Sequence, residues 1–225
     1  MAFPTTPVLV NFANDGGAPR NLQAWSPQDW STSSLWPSNF QTNADGTAHS
    51  PAPNAGNWFT RQNYGPDCEV YCTVTQKPTE AIGAYIALYL RVNEIGANTS
   101  DGYEMEWDCL SGGTDTVSIY RMENESFAQL TGTFIAAQEL TAGDSIGFEA
   151  VGATLKIWYK AAAGSWTNIG STTDNRWTNA GRIGIQGGGA AGASGAIDDF
   201  GGGTTITTVA AAVEYRNDFS RLPKR

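Results

Sequence analysis

Histidine is almost absent: His49 is the only one in 225 residues, and it sits in a turn-rich stretch. One histidine far from every cysteine leaves no His–Cys metal cluster and no credible Ser–His–Asp set. Cysteine is scarce, at three. Cys68 and Cys72 share one alternating run, and four strand residues span about 13 Å, beyond the roughly 7 Å between Cα atoms that a disulfide tolerates. Buried free thiols at these positions and at Cys109 are therefore expected. Positive charge is in deficit, with 13 Lys and Arg against 22 Asp and Glu and a net charge of −9. That argues against a nucleic-acid partner, because phosphate contacts need clustered basic groups. No apolar run approaches the ~20 residues of a membrane-spanning helix, so no membrane partner is expected. The N-terminal MAFPTTPVLVNF lacks the basic and long apolar regions of a signal peptide. The expectation is a chain made in the cytoplasm without a signal peptide. It then stays there or leaves in a virion or other released assembly. A phosphate loop is also missing, since GGGAAGASG (187–195) lacks the Lys-Ser/Thr ending.

What is present is alternation. No stretch keeps a 3.6-residue period. Hydrophobic residues make up 40% of the chain and glycines number 26, which suits many strands joined by tight turns. Residues 13–66 read as short strands and loops around Trp25, Trp30, Trp36 and Trp58. Clear strands follow in CEVYCTVT (68–75), AIGAYIALYLRV (81–92), GYEMEWDCL (102–110), TVSIYRM (116–122), SIGFEAV (145–151), TLKIWYK (154–160), RIGIQ (182–186) and AIDDF (196–200). Short strands at near-regular spacing predict an all-β fold, a sandwich or barrel, in one domain.

Alternation also assigns faces. Cys68, Val70, Cys72 and Val74 point one way, as do Ala84, Ile86, Leu88 and Leu90, then Tyr103, Met105, Trp107 and Cys109. The opposite set mixes aromatics with charges: Tyr71, Tyr85, Tyr89, Arg91, Glu104, Glu106, Asp108, Tyr120, Lys156 and Trp158. Rings stack on sugar faces and carboxylates accept bonds from sugar hydroxyls. The predicted glycan or partner surface is Tyr85, Tyr89, Arg91, Glu104, Glu106, Asp108, Tyr120 and Trp158. The same parity permits plain cross-strand pairing of Arg91 and Lys156 with the acids. The last ten residues carry four basic groups and one acid, +3, against −12 for the rest. Such a tail suits docking on an acidic neighbour, including another copy of the chain.

The order of these motifs resembles the concanavalin A-like lectin/glucanase superfamily, in particular its laminin-G-like jelly rolls. The matching run begins with Asn11-Phe12 and an aromatic at Trp25. It continues through GPDCEV (65–70), GYEM (102–105), VSIYR (117–121), AGDSI (142–146), EAVGATLKI (149–157), GRIGI (181–185) and IDDF (197–200), covering roughly residues 8–203. The resemblance implies a two-sheet antiparallel jelly-roll sandwich over residues 1–203, with its first and last strands paired. Residues 204–225 form a C-terminal extension and basic tail. Some related sandwiches hold a structural calcium near a terminal Asp. Here Asp198 is the candidate, and no other cofactor is expected.

Glucanases of this superfamily carry Glu-x-Asp-x-(x)-Glu, whereas this chain offers Glu104-x-Glu106-x-Asp108. Residues two apart on a strand lie about 6.6–7 Å apart, within the ~5–9.5 Å range of glycosidase carboxyl pairs. Catalysis needs one acid held protonated in an apolar pocket. Acids beside Arg or Lys would instead be ionised and solvated, so no catalytic residue is expected. The reading is a non-catalytic, lectin-like attachment module of a larger assembly, such as a bacteriophage capsid decoration, tail or fibre protein. It would contact neighbouring subunits or surface glycans. A free glycan-binding lectin is the alternative, and a glycoside hydrolase or lyase the third reading.

Overall fold

The computed structural model describes residues 2–205 except 14–18, 34, 37, 79–82, 94–97, 111–113, 131–133, 136–138 and 190–194. The basic tail from residue 206 onward, with the docking role expected of it, lies outside the described residues. The first strands in chain order are β1 (Val8–Val10), β2 (Arg20–Asn21), β3 (Trp30–Ser31), β4 (Gln41–Thr42), β5 (Ala48–His49) and β6 (Ala55–Tyr64). Then come β7 (Cys68–Gln76), β8 (Tyr85–Asn93), β9 (Asp101–Asp108), β10 (Thr116–Glu123), β11 (Ser126–Gln129) and β12 (Phe134–Ile135). The last are β13 (Ser145–Val151), β14 (Thr154–Lys160), β15 (Thr167–Thr173), β16 (Gly181–Gly188) and β17 (Ala196–Thr204). Among the described residues the one helix is a single turn, Leu22–Trp25.

Two antiparallel sheets result. One runs β15-β14-β13-β7-β17-β5-β4-β2, with β1 beside β17; the other runs β11-β10-β9-β8-β16-β6-β3, with β12 beside β10. The expected pairing of first and last strands is present, with Val10 opposite Phe200. The inner faces follow the alternation. Cys68, Val70, Cys72, Val74, Ile146, Phe148 and Ile157 from the first sheet pack with Ile86, Leu88, Leu90, Met105, Trp107, Ile119 and Ile185 from the second. A pleated strand must expose every second side chain to the opposite face, so burying this set places its alternates outward. All three cysteines are buried free thiols. Burial pushes the Cys68 thiol up to about 12, which leaves it an inert part of the core.

Two expectations about the outward set do not hold. Arg91 is not on the face with Tyr85 and Tyr89. The register of β8 shifts between Leu90 and Asn93, and Arg91 takes a left-handed φ of 53°. This turns its side chain into the end of the sandwich, where it is fully buried. There Nε donates to Pro66 O, Nη1 to Trp177 O and Nη2 to Gly152 O, each at 2.8 Å. Asp67 lies 3.8 Å away.

Trp158 is the second correction. It has the expected parity but belongs to β14 in the other sheet, so it lies on the opposite outer surface of the sandwich. The N-terminal segment covers it. Phe3 stacks on Trp158 at 4.8 Å between ring centres, and Thr5 and Thr6 donate their backbone N–H groups to Glu69 at 2.6 and 2.7 Å. Glu149 accepts from both Lys156 and Trp158 Nε1 at 3.0 Å. Trp158→Ala is therefore expected to lower stability by about 1–3 kcal/mol while leaving any ligand of the other sheet bound as before. Denaturation and binding curves of the same preparation check both halves.

Candidate functional site

The outer face of the second sheet carries the acids. Register sets Tyr89 of β8 and Tyr120 of β10 on either side of Glu104, and Ala87 and Ser118 on either side of Glu106. Tyr85 stands opposite Asp108. Beyond β8, β16 adds Gln186 to the same face, opposite Ala87. The connection between β3 and β4 brings Leu35 and Trp36 over this face. Together Leu35, Trp36, Asn54, Tyr85, Glu104, Glu106, Tyr120, Phe127 and Gln186 line a cleft of about 370 Å³.

Glycines let the rings lie flat. A Cβ on Gly188 would sit 2.0 Å from Cε1 of Tyr85, and one on Gly56 would sit 2.4 Å from Cδ2 of Trp36. Both distances are far inside van der Waals contact, so any side chain there would lift the ring off the sheet. Beneath the cleft, Trp36, Trp58, Tyr89, Ala87, Val92 and Met122 form a second apolar cluster, separate from the inter-sheet core. Its rings pack directly on one another, Trp36 on Trp58 at 4.3 Å and Trp58 on Tyr89 at 5.0 Å between ring centres.

Charge on this floor is not compensated. Among the described residues, none of Glu104, Glu106 and Asp108 is ion-paired. Lys156 is on the other sheet and Arg91 is turned into the sandwich end, so the cationic partners anticipated for the acids are elsewhere. Glu104 is buried. Its burial, and then the charge of Glu106, push its carboxyl up to about 8, against the pull of the Tyr89 hydroxyl. Burial and the Asp108 charge push Glu106 up to about 7, against a hydrogen bond from Tyr120. Burial also raises Asp108, against a bond from Thr116. Desolvation in a cation-free setting thus runs against the expectation of ionised, solvated carboxylates, most strongly at Glu104.

Of the residues anticipated from the sequence, Tyr85, Tyr89, Glu104, Glu106, Asp108 and Tyr120 come together here; Arg91 and Trp158 do not. Asp198 lies on β17 of the first sheet, its Oδ1 accepting from the Asp199 N–H at 2.7 Å. Among the described residues no group of three or more His, Cys, Asp and Glu side chains is placed to hold a metal ion. The sequence reading missed Trp36, Asn54, Phe127 and Gln186. Gln186 alone had a signal there, as the polar alternate to Ile183 and Ile185 in RIGIQ.

No family model matches the sequence, and no curated protein matches it either. Solved structures do. The potassium-bound carbohydrate recognition domain of Emp46p is 11% identical with a TM-score of 0.60, over 90% of this chain and 97% of that one. The exoplasmic/lumenal domain of VIP36, bound to Ca²⁺ and Man3GlcNAc, is 12% identical with a TM-score of 0.59, over 84% and 88%. Xylan β-1,4-xylosidase from Bacillus halodurans is 11% identical with a TM-score of 0.52, over 84% of this chain and 38% of the enzyme. The chain has the concanavalin A-like, lectin-type jelly-roll fold.

Proposed function

We propose that the chain is a non-catalytic carbohydrate-binding module whose ligand lies in the cleft over β8, β9, β10 and β16. The observation that carries this reading is the cleft itself. It sets flat rings (Tyr85, Tyr120, Trp36) beside clustered carboxyl and amide groups, and the described part of the chain leaves it open. Stacking on rings with lateral hydrogen bonds from Glu, Asn and Gln is how a protein grips a hydroxyl-rich, half-apolar ring. Two similar folds carry the same theme in their names, as a carbohydrate recognition domain and as a domain bound to Man3GlcNAc.

A glycan array with wild type and Tyr85→Ala tests it. The wild type is expected to bind a defined set of sugars, and Tyr85→Ala to weaken binding tenfold or more, about 1.4 kcal/mol. A silent array with folded wild type removes the reading. We further assign the module to a larger assembly, such as a bacteriophage virion, on the strength of the basic tail and acidic body. Proteomics of purified particles would find the chain there, and its absence from them would count against the assignment.

A second reading is glycoside cleavage. The raised Glu104 and Glu106 pair favours it, since burial keeps a proton available near neutral pH. Glycan turnover by wild type that Glu106→Gln abolishes would replace the non-catalytic reading.

A further inference from the structure

Residues 2–7 precede β1 and belong to neither sheet. They lie on the outer face of the first sheet, held as a bound peptide is held. The Phe3 ring is parallel to Trp158 at 4.8 Å and meets Trp166 edge-on at 4.8 Å and Tyr71 edge-on at 6.2 Å. Gly147 floors this box, since a Cβ there would sit 2.4 Å from Cζ of Phe3. Two residues on, Oε1 of Glu69 accepts from the backbone N–H groups and the hydroxyls of both Thr5 and Thr6, at 2.6 to 3.3 Å. The Tyr71 hydroxyl donates to Thr6 O at 2.9 Å. A box for one ring, then a carboxylate for two successive N–H groups, makes a receptor for a peptide of the form Phe-x-Thr-Thr.

The socket needs an occupant. Glu69 is fully buried beneath the arm, and Lys156 on the same face pairs with Glu149 instead, at 3.0 Å. Oε2 of Glu69 has no hydrogen-bond partner among the described residues, so the Thr5 and Thr6 donors carry this carboxylate. An empty socket would give up those charge-assisted bonds and open three aromatic rings to water.

The anchors do not require the occupant to come from the same body. All of them lie before Pro7, which is exposed and has no N–H to bond. The arm can therefore pivot there while β1 stays paired with β17. Its root is also uncovered. Val8 is 46% exposed, and Pro7, Leu9, Tyr64 and Gly203 border a hollow of about 300 Å³ beside it.

We propose that the arm is exchanged between copies: residues 2–6 of one chain seat in the Tyr71–Trp158–Trp166–Glu69 socket of a second chain, which returns its own. Reciprocal exchange keeps every anchor, so only the cost of association opposes it, and covering the apolar root offsets that cost. The socket and the cleft are on opposite outer surfaces, so the joint leaves the cleft uncovered. It needs no ligand there and holds whatever the cleft binds.

Mixed-label NMR on the full chain tests this. ¹³C-labelled and unlabelled wild type are mixed at high concentration, and isotope-filtered NOEs are recorded between the Phe3 ring and the rings of Trp158 and Trp166. NOEs that cross from labelled to unlabelled chains are expected; NOEs confined to one chain overturn the proposal. Sedimentation gives the second readout. Wild type should form a dimer. Phe3→Ala removes the anchor, and Gly147→Ala fills the box while leaving the arm intact. Each should raise the dimer dissociation constant at least tenfold. Using both keeps the test decisive if one variant folds poorly. A wild type that stays monomeric overturns the exchange, and so does a dimer that both variants leave unchanged.

Discussion

Replacing Arg91 by alanine is expected to destabilise the protein by about 3–5 kcal/mol, the cost of breaking a buried charged cluster by removing one partner. In a domain of this size that corresponds to a melting point lower by about 10 °C. The guanidinium is fully buried and serves three carbonyls that are remote in sequence. Pro66 precedes β7, Gly152 closes the β13–β14 turn, and Trp177 lies between β15 and β16. Asp67, 3.8 Å from the guanidinium, also accepts from the Gly152 N–H at 2.7 Å. One side chain therefore ties three loops at one end of the sandwich. Without it those carbonyls face each other across a cavity with no donor, each costing about 1–3 kcal/mol unless water enters.

Two companion variants separate the terms. Arg91→Lys keeps a charge but replaces a rigid fork by a single ammonium, so it should recover only part of the loss. Arg91→Gly should fare better than Arg91→Ala by about 1 kcal/mol, because glycine is unstrained at a φ of 53°. Chemical denaturation gives the order. If Arg91→Ala loses under about 1 kcal/mol, the clasp is ornamental and the loops are held by something else.

The same residue shows where reading the sequence fails. Alternation made the sheets legible: Met105 and Trp107 are buried and Glu106 faces outward because a pleat allows nothing else. Parity, however, assumes an unbroken strand. One left-handed residue in β8 suffices to send Arg91 inward, and nothing in LYLRVN announces it. Parity also says which side of a sheet a residue takes, not which sheet. Trp158 and Tyr85 share a pattern yet lie on opposite outer surfaces, since β14 and β8 were never distinguishable by period. The cleft was half legible for a related reason. Its acids and tyrosines sit on long alternating strands, whereas Trp36 and Asn54 arrive from irregular segments before β6, where no periodicity exists to read. Raised carboxyls were missed because their first cause is burial and their second a neighbouring acid, and what covers or faces a side chain across strands is known only once strand order is.

Stability should fall as pH rises from about 5 to about 8.5, and Glu104→Gln should remove much of that fall. The sign follows from the raised carboxyls. The ordinary value of 4.5 applies in the unfolded chain, while the folded values are about 8 for Glu104 and about 7 for Glu106. Between those limits the folded protein holds protons that the unfolded chain has released. The contribution is fully present below about 4.5 and is lost as pH climbs through the folded values. Each such proton gives a slope approaching about 1.4 kcal/mol per pH unit. Repulsion between the two groups makes their joint loss smaller than the sum, on the order of a few kcal/mol. His49 acts oppositely: burial lowers it, so it adds stability as pH rises through 6.5, and its share must be separated with His49→Gln.

Glutamine imitates the neutral acid, so Glu104→Gln should be close to wild type at pH 5.5 and more stable than wild type by about 2 kcal/mol at pH 8.5. A gain confined to alkaline pH is the mark of a buried charge that the variant no longer has to form, because a change in packing or hydrogen bonding alone would shift stability equally at both pH values. Parallel curves for the two proteins across this range would mean that Glu104 ionises without penalty. The floor of the cleft would then carry a full negative charge, and a protein that keeps such a cluster would be reading positively charged ligands instead of plain sugars.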